Sequence, residues 1–245
     1  MAGLDAVIED IVIANRILST EAVVDGYGHV SMRHPERPDR YLMSRARAPH
    51  CIEAEDIMEF ALDGTPIDPR GRSPYLERYI HGAMYEQRPD VRSVVHSHSL
   101  AVIPFGVAGV KIRPMMHNCS MIGAEVPIWD SGDKFGDTDL LVVSMDMGRD
   151  LARTVNKGST ALMRGHGSVV AERSLRRTVM CSILLQTSAN LQMAASRFDT
   201  VKFLTPGEVE KCRGMLGTAE GTPGQGIDRA WEYYCLRAGM PYRPG

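Results

Sequence analysis

The sequence predicts an α/β fold in a single domain. Patterns typical of helices and of strands alternate along the 245 residues, and no internal repeat or domain-splitting linker interrupts them. A hydrophobic content of 44% with 24% charged residues is ordinary for a globular protein, and this length can bury a substantial core. We therefore expect one domain over residues 1–245.

A helix and a pair of strands are predicted at the start of the chain. Residues 4–18 carry apolar side chains at helical spacing, and the glycine-containing stretch 26–28 ends this segment. Residues 29–33 and 40–43 alternate like two short strands around a proline-rich turn, which is typical of a hairpin.

A second helix is predicted over about residues 74–87. The Ser73-Pro74 pair favours a helix start, because the hydroxyl can cap free amides and proline lacks only an N–H that would have no partner there. The apolar stripe of this helix consists of Leu76, Ile80 and Met84.

The second half of the chain continues the alternation. We expect strands at 140–144 and 160–170, and helices at 148–156 and 174–196. Thr205 and Glu208 form a capping-box pattern, so another helix begins there. Residues 217–226 are predicted to be a loose linker, followed by a last helix with one face made of Ile227, Trp231, Tyr234 and Cys235.

Charge and cysteine content narrow the class of protein. The net charge of −2 and the scattered Lys and Arg residues lack the electrostatic footprint of nucleic-acid binding, so no nucleic-acid partner is expected. Five cysteines without a C-x-x-C pair argue against a disulfide framework or a cysteine zinc site and favour a cytoplasmic location. An N-terminus that contains acidic residues differs from a signal peptide, and no apolar run reaches membrane-spanning length, so no membrane partner is expected.

Three histidines form the candidate metal site. The β-branched run 91–95 predicts a buried strand that leads into His96 and His98. Residues two apart in a strand share a face, so these two imidazoles can grip one ion; alone, such a pair is more often structural. His166 lies between two glycines at the end of another predicted strand, where small neighbours let a ligand approach.

Such a set of ligands is typical of a catalytic metal. Three neutral imidazoles leave coordination positions open for substrate oxygens. Histidine combined with oxygen donors suits Zn, Mn, Fe or Co, and the sequence does not choose among these divalent metals.

Several motifs, in this order and spacing, resemble the class II aldolase/adducin family. They are S-P-Y-L-E-R-Y-I-H at 73–81, V-V-H-S-H-S at 94–99, R-G-H-G at 164–167, and the earlier G-H-V-S-M-R and M-S-R segments. The resemblance covers nearly the whole chain. It implies an α/β/α domain around a mostly antiparallel central sheet, assembled as a homotetramer with active sites between subunits.

The resemblance also assigns roles to individual residues. His96, His98 and His166 match the metal histidines of the family, and Glu77 matches its catalytic acid/base. Without the resemblance, Glu77 would be interpreted as an ordinary exposed helix carboxylate.

Departures from the sugar-phosphate aldolases concern the substrate. Those enzymes bind phosphate through an Asn after the early Gly, a Thr-Gly pair and a Ser-Ser pair, whereas this chain has His29, Ser44-Arg45 and Pro74-Tyr75 in the corresponding regions. Arg45 instead offers a planar fork for a carboxylate, with Ser44 beside it, and His29 can donate a hydrogen bond or a proton. Arg45 could equally be a surface residue.

The same segments resemble the decarboxylase-like branch of the family, whose members act on hydroxylated aromatic or pyridine dicarboxylates and on carboxylated hydroxymuconic semialdehydes. Loss of CO₂ leaves a carbanion, and a metal chelated by a neighbouring oxygen can stabilise the resulting enolate. Arg164 and His117 are weaker candidates for substrate contacts, and Tyr233, Tyr234 and Tyr242 could close over the site of a neighbouring subunit.

Three hypotheses remain open from the sequence. The preferred one is a metal-dependent, non-oxidative decarboxylase of a hydroxylated aromatic dicarboxylate or its ring-opened relative. The second is an aldolase or epimerase that acts on a non-phosphorylated hydroxy-keto acid, because retro-aldol cleavage generates the same enolate. The third is an adducin-like binding protein without catalysis, which predicts a decayed metal site.

Overall fold

The computed structural model describes residues 3–215 and 225–242. The predicted linker at 217–226 therefore lies almost entirely outside the described residues. The helices are α1 Leu4–Thr20, α2 Arg78–Gln87, α3 Ile103–Ala108, α4 Gly132–Phe135, α5 Met145–Val155, α6 Leu175–Ala195, α7 Pro206–Met215 and α8 Gln225–Arg237. The strands are β1 His29–Arg33, β2 Arg40–Ser44, β3 Ile57–Ala61, β4 Pro66–Ile67, β5 Ser93–Ser97, β6 Ile128–Trp129, β7 Thr160–Met163 and β8 Gly167–Glu172.

The strands form a central sheet in the order β4-β3-β2-β1-β5-β8-β7-β6. Neighbouring strands are antiparallel except β6 and β7, which are parallel. This arrangement confirms the predicted α/β fold around a mostly antiparallel sheet.

Successive residues of a strand point to opposite faces of the sheet, and helices cover both faces. Tyr41, Met43 and Val94 pack into a core with apolar residues of α2 and α5. The intervening Leu42 and Val95 pack on the other side with residues of α1, α6 and α8. Side chains at His96 and at alternate positions of β1 therefore point toward α2, which is the layer that builds the site.

Several predicted elements are confirmed. The opening helix and the hairpin of β1 and β2 form as expected, with Ser31 opposite Met43. The long helix α6 begins after Ser174, whose hydroxyl accepts from the backbone N–H of Arg177. Thr205 caps α7 through the predicted reciprocal bonds with Glu208.

The predicted start of the second helix was wrong. The helix begins at Arg78 rather than at residue 74, and Leu76 is 64% exposed instead of lying on the apolar face. The preceding segment packs against a neighbouring loop, where the Ser73 carbonyl accepts from the Ala46 N–H and the Tyr75 hydroxyl bonds the Arg47 carbonyl. These tertiary contacts keep the segment extended.

Two strand predictions also need correction. Residues 140–144 form no strand but an irregular segment along the site, ending at Ser144, which caps α5. Residues 160–170 divide into β7 and β8, because a tight turn interrupts them at 164–166.

In the described ranges, no helix combines the length and the apolar character that crossing a bilayer requires. All five cysteines lie within these ranges and carry free thiols.

Candidate metal centre and substrate cavity

Three separate segments of the chain bring four side chains together beside the sheet. His96 is the fourth residue of β5 and His98 follows its end, His166 lies in the turn between β7 and β8, and Glu77 precedes the first turn of α2. One ligand atom from each residue lies within 4.8 Å of all the others. The structure thus brings together the three predicted metal histidines and the predicted acid/base.

The imidazoles meet through the same ring nitrogen. The Nε2 atom of His98 is 3.0 Å from Nε2 of His96 and 3.1 Å from Nε2 of His166. The Glu77 Oε2 atom is 3.3 Å from Nε2 of His96 and 3.4 Å from Nε2 of His166.

The opposite ring nitrogens all face acceptors. Nδ1 of His96 is 3.1 Å from the Ser168 carbonyl, and Nδ1 of His166 is 2.9 Å from the Leu140 carbonyl. Nδ1 of His98 is 3.4 Å from a carboxylate oxygen of Asp25. A neutral imidazole that donates through Nδ1 carries a lone pair on Nε2, so three lone pairs and a carboxylate oxygen converge on one point. This donor set fits a divalent cation, because without one the lone pairs would repel each other.

Glu77 is held firmly in the cluster. It is 7% exposed, and its Oε1 atom accepts from the backbone N–H of Val142 at 2.9 Å. Burial by itself raises the pKa of this carboxyl, but the adjacent His96 and His166 outweigh burial and hold the pKa well below its usual range. Glu77 is therefore a carboxylate that can serve as a fourth ligand or accept a proton.

The backbone around the histidines is specialised. Leu140 has φ +68°, in the left-handed region that leucine rarely adopts, and its carbonyl is the one that orients His166. A Cβ on Gly167 would lie 2.0 Å from the Ser97 carbonyl oxygen, so only glycine allows β8 to approach β5 this closely. Strand packing therefore requires this glycine, which is a different reason from the ligand access predicted from the sequence.

A cavity of about 460 Å³ opens beside the cluster. Its walls include Glu77, His98 and the predicted catalytic His29, together with the apolar side chains Tyr75 and Leu141. This volume suits a small organic acid. A larger cavity of about 640 Å³ lies at the far end of β8, near Glu172, and contains no member of the histidine cluster.

His29 is buried between the cavity and the protein interior. It lies opposite His96 in the register of β1 and β5, and the ring centroids of these two histidines are 5.1 Å apart. Its Nδ1 atom is 2.7 Å from Nε2 of His81. Burial, and next the neighbouring His81, lower the pKa of His29 well below its usual value, so the ring is neutral.

The predicted substrate residues are not gathered around this cavity. Arg45 does not line it; its Nε atom is 2.5 Å from Oδ1 of Asp56. Ser44 is fully buried, and Arg164 is paired with Asp130. His117 is exposed on a short 3-10 helix over His117–Ile122.

The C-terminal tyrosines were expected to close over the site of a neighbouring subunit. Tyr233 and Tyr234 lie on α8, Tyr234 and Tyr242 pack against the core on the α1 side of the sheet, and none of the three lines the cavity.

Sequence reasoning missed two groups, one that lines this cavity and one that bonds His29 behind it. Arg47 lines it, two residues beyond the predicted arginine, and its Nη1 atom is 2.5 Å from Oδ2 of Asp56. His81 lies within the 73–81 motif but received no role; it is one helical turn after Glu77, a spacing that places both on one face of α2. That spacing was the available indication for His81, whereas nothing local distinguished the two arginines.

The chain is similar to known proteins over most of its length. The model of the class II aldolase and adducin N-terminal domain matches residues 9–193. The decarboxylase tropJ of Talaromyces stipitatus is 37% identical over 189 residues, which cover 72% of this chain and 71% of that protein. A 3,4-dihydroxyphthalate decarboxylase of Arthrobacter keyseri is 30% identical over 200 residues, covering 76% of this chain and 77% of that protein.

Solved structures show the same fold. An aldolase II superfamily protein from Pseudomonas syringae superimposes with a TM-score of 0.78 at 21% identity, covering 100% of this chain and 97% of that chain.

Proposed function

The chain belongs to the class II aldolase and adducin family, in its decarboxylase-like branch, and on this premise we propose that it is a divalent-metal-dependent, non-oxidative decarboxylase. Its proposed substrate is a hydroxylated aromatic dicarboxylate, such as 3,4-dihydroxyphthalate, or a carboxylated hydroxymuconic semialdehyde from aromatic catabolism. The observation that supports this proposal most directly is the histidine cluster beside a cavity that contains an arginine.

The proposed metal ligands are His96, His98 and His166, with Glu77 beside them. Their convergent lone pairs and the adjacent carboxylate fit a divalent ion such as Zn, Mn, Fe or Co. When bound, such an ion supplies a Lewis acid for the negative charge that develops on substrate oxygens.

The cavity walls supply binding and orientation. Arg47 is the proposed ligand of a substrate carboxylate, because it is the only cationic side chain among the described residues that line the cavity. Tyr75 and Leu141 offer apolar surface to a ring or to a planar conjugated chain, and Tyr27, which is 75% exposed, lies at the mouth. Ser44 is too buried to contact substrate. Arg45 does not line the cavity, so the carboxylate-binding role predicted for it is proposed for Arg47.

The reaction breaks one C–C bond and forms one C–H bond. The carboxylate leaves as CO₂, the electron pair stays on the substrate carbon, and a proton takes its place. We propose that Glu77 accepts a proton from a substrate hydroxyl or from water and returns it to this carbon, and that His29 acts on the neighbouring oxygens.

Substrate conversion tests the proposal. Protein loaded in turn with Zn, Mn, Fe or Co is incubated with 3,4-dihydroxyphthalate and a panel of carboxylated hydroxymuconic semialdehydes, and CO₂ release is measured. We expect release from at least one compound and its loss in His98→Gln. The matched control is His50→Gln, which changes an exposed histidine outside the cluster. No release from any compound with any metal would contradict the proposal.

Two further outcomes would identify the other hypotheses. Deuterium exchange into pyruvate that is faster than any decarboxylation would favour the aldolase or epimerase. Purified protein without a divalent ion, and without affinity for one, would favour the adducin-like binding protein.

The homotetramer implied by the family resemblance remains a proposal. We expect native mass spectrometry of the full chain to give four times its 27.0 kDa mass. A monomer at micromolar concentration would contradict this expectation.

A further inference from the structure

A continuous chain of buried hydrogen bonds runs from the cavity into the protein interior. Nδ1 of His29 is 2.7 Å from Nε2 of His81, and Nδ1 of His81 is 2.6 Å from Oγ of Ser31. The same hydroxyl is 2.7 Å from the phenol oxygen of Tyr85. All four side chains are at most 2% exposed, so water does not compete for these bonds.

The chain arises where a strand faces a helix. His29 and Ser31 are two apart in β1 and point to the same side of the sheet. His81 and Tyr85 are four apart in α2 and point to the same side of the helix. The two pairs interdigitate, which links them in alternating order.

The direction of the chain is fixed at its inner end. The phenol of Tyr85 has one proton to donate, and within the described residues its only side-chain hydrogen-bond partner is the Ser31 oxygen. If Ser31 donated to the phenol instead, the phenol proton would be buried without an acceptor, which is unfavourable. Tyr85 therefore donates to Ser31.

Each later bond follows from the one before it. Since Ser31 accepts from the phenol, its own proton is free to go to Nδ1 of His81. His81 then carries its proton on Nε2 and donates it to Nδ1 of His29. That leaves the proton of the neutral His29 ring on Nε2, the ring nitrogen that the bond to His81 does not use, and the residue lines the cavity.

We propose that Tyr85, Ser31 and His81 are positioning residues that hold His29 in the tautomer with its Nε2–H directed at the substrate. His29 then donates a hydrogen bond to a substrate oxygen and cannot act as a general base, because its cavity-facing nitrogen has no lone pair. An imidazolium at His29 would place two N–H groups against each other at the His81 contact, so the chain also opposes His29 as the proton donor to carbon. The role toward substrate rests on the proposed function; the tautomer does not.

Nitrogen NMR tests the tautomer directly. In Zn²⁺-loaded protein with ¹⁵N-labelled histidine rings, the nitrogen shifts distinguish protonated from unprotonated ring nitrogens, and the signal lost in His29→Gln assigns His29. We expect the His29 proton on Nε2 and the His81 proton on Nε2. A wild-type spectrum with the His29 proton on Nδ1 would overturn the proposal, whatever the substrate panel shows.

Variants test the role of the chain. Ser31→Ala removes the donor to His81, so we expect His29 to shift partly or wholly to the Nδ1–H tautomer. The matched control is Ser93→Ala, which removes another buried hydroxyl that bonds the Ser31 carbonyl and lies outside the chain. An unchanged His29 tautomer in folded Ser31→Ala would contradict the inference.

A kinetic comparison separates positioning from a purely structural role. With a substrate of the proposed class, we expect Ser31→Ala to lower kcat roughly 5–10-fold, because a partial shift of the His29 tautomer weakens one hydrogen bond to a developing charge, with little change in KM. His81→Gln retains an amide that can donate to His29, so it should keep more activity than His81→Leu. Equal loss in these two variants at equal thermal stability would contradict the positioning role.

Discussion

Arg45 and Arg47 show at the residue scale how little separates a surface residue from a site residue. Both guanidinium groups bond Asp56, and their side chains are 38% and 37% exposed. Only Arg47 lines the cavity. The two arginines have nearly the same local sequence context, so the difference becomes visible only when the loop packs beside the site.

The first prediction compares these two arginines. Arg47→Met should raise KM for the carboxylate substrate by roughly 10–100-fold, because a charge-assisted hydrogen bond contributes about 1.5–3 kcal/mol. Arg45→Met is the matched control: it also removes one partner of Asp56 but leaves the cavity lining intact. Steady-state kinetics of both variants decide the matter, and an equal or larger effect in Arg45→Met would restore the role predicted from the sequence.

Asp56 gives a prediction about pH. Burial of this carboxyl raises its pKa, but hydrogen bonds from Arg45, the Glu53 N–H and Arg47 outweigh burial and lower the pKa from 3.8 to about 2. Because the folded-state pKa is lowered, the stabilisation is complete above pH about 4 and is lost as the pH falls toward 2.

Asp56→Asn should therefore be less stable than the wild type near pH 7. We expect a difference of roughly 1–2 kcal/mol, since the partner arginines are partly exposed. Urea unfolding at a series of pH values should show this difference shrinking below pH about 4. A difference that grows on acidification would contradict the assignment.

At the scale of elements, polar residues of the site form a stripe along the face of α2 that packs on the sheet. Glu77, His81 and Tyr85 are spaced by four residues, and all three point toward the sheet. The sequence shows this spacing, but the predicted helix face was defined by the apolar side chains Leu76, Ile80 and Met84.

The crossing of α2 and α5 gives the third prediction. A Cβ on Gly148 would lie 2.5 Å from the Tyr79 carbonyl oxygen, so the two helices touch where glycine permits it. Gly148→Ala should destabilise the fold by about 1–3 kcal/mol and displace α2, which carries Glu77. Gly214→Ala in α7 is the control, since nothing lies within 4 Å of its added Cβ, and it should be neutral or slightly stabilising. Equal thermal stability of the two variants would contradict the close packing.

At the scale of the whole molecule, the histidine cluster ties distant parts of the chain together. Its members come from the residue that precedes α2, from the end of β5 and from the turn between β7 and β8. An ion bound there stabilises the folded state alone, because these groups are far apart in the unfolded chain.

Metal removal should therefore lower the thermal stability. At an ion concentration 100 times its Kd, the stabilisation is about 2.7 kcal/mol, which corresponds to several degrees in Tm for a protein of this size. Thermal unfolding with and without a chelator, followed by addition of Zn, Mn, Fe or Co, measures this effect. His166→Gln should be nearly insensitive to the chelator, and a wild type that is equally insensitive would contradict the metal site.

The sequence by itself determined the features that depend on neighbouring residues. Helical and strand periodicity located α1, the β1–β2 hairpin and α6, and capping chemistry located the start of α7. The spacing of His96 and His98, and the glycines beside His166, marked the proposed metal ligands because residue spacing on one strand and one turn is local. The role of Glu77 required the resemblance to a family.

Only the tertiary structure decided the features that depend on contacts between distant segments. The late start of α2 follows from bonds to the loop that contains Arg47, and the segment at 140–144 forms no strand because its backbone groups bond Glu77 and His166. The position of Arg47 in the cavity wall and the hydrogen-bond chain from Tyr85 to His29 also depend on contacts between distant segments. A local pattern cannot encode these features, because the partner that satisfies each polar group lies tens of residues away in sequence and becomes a neighbour only when the sheet and its helices pack.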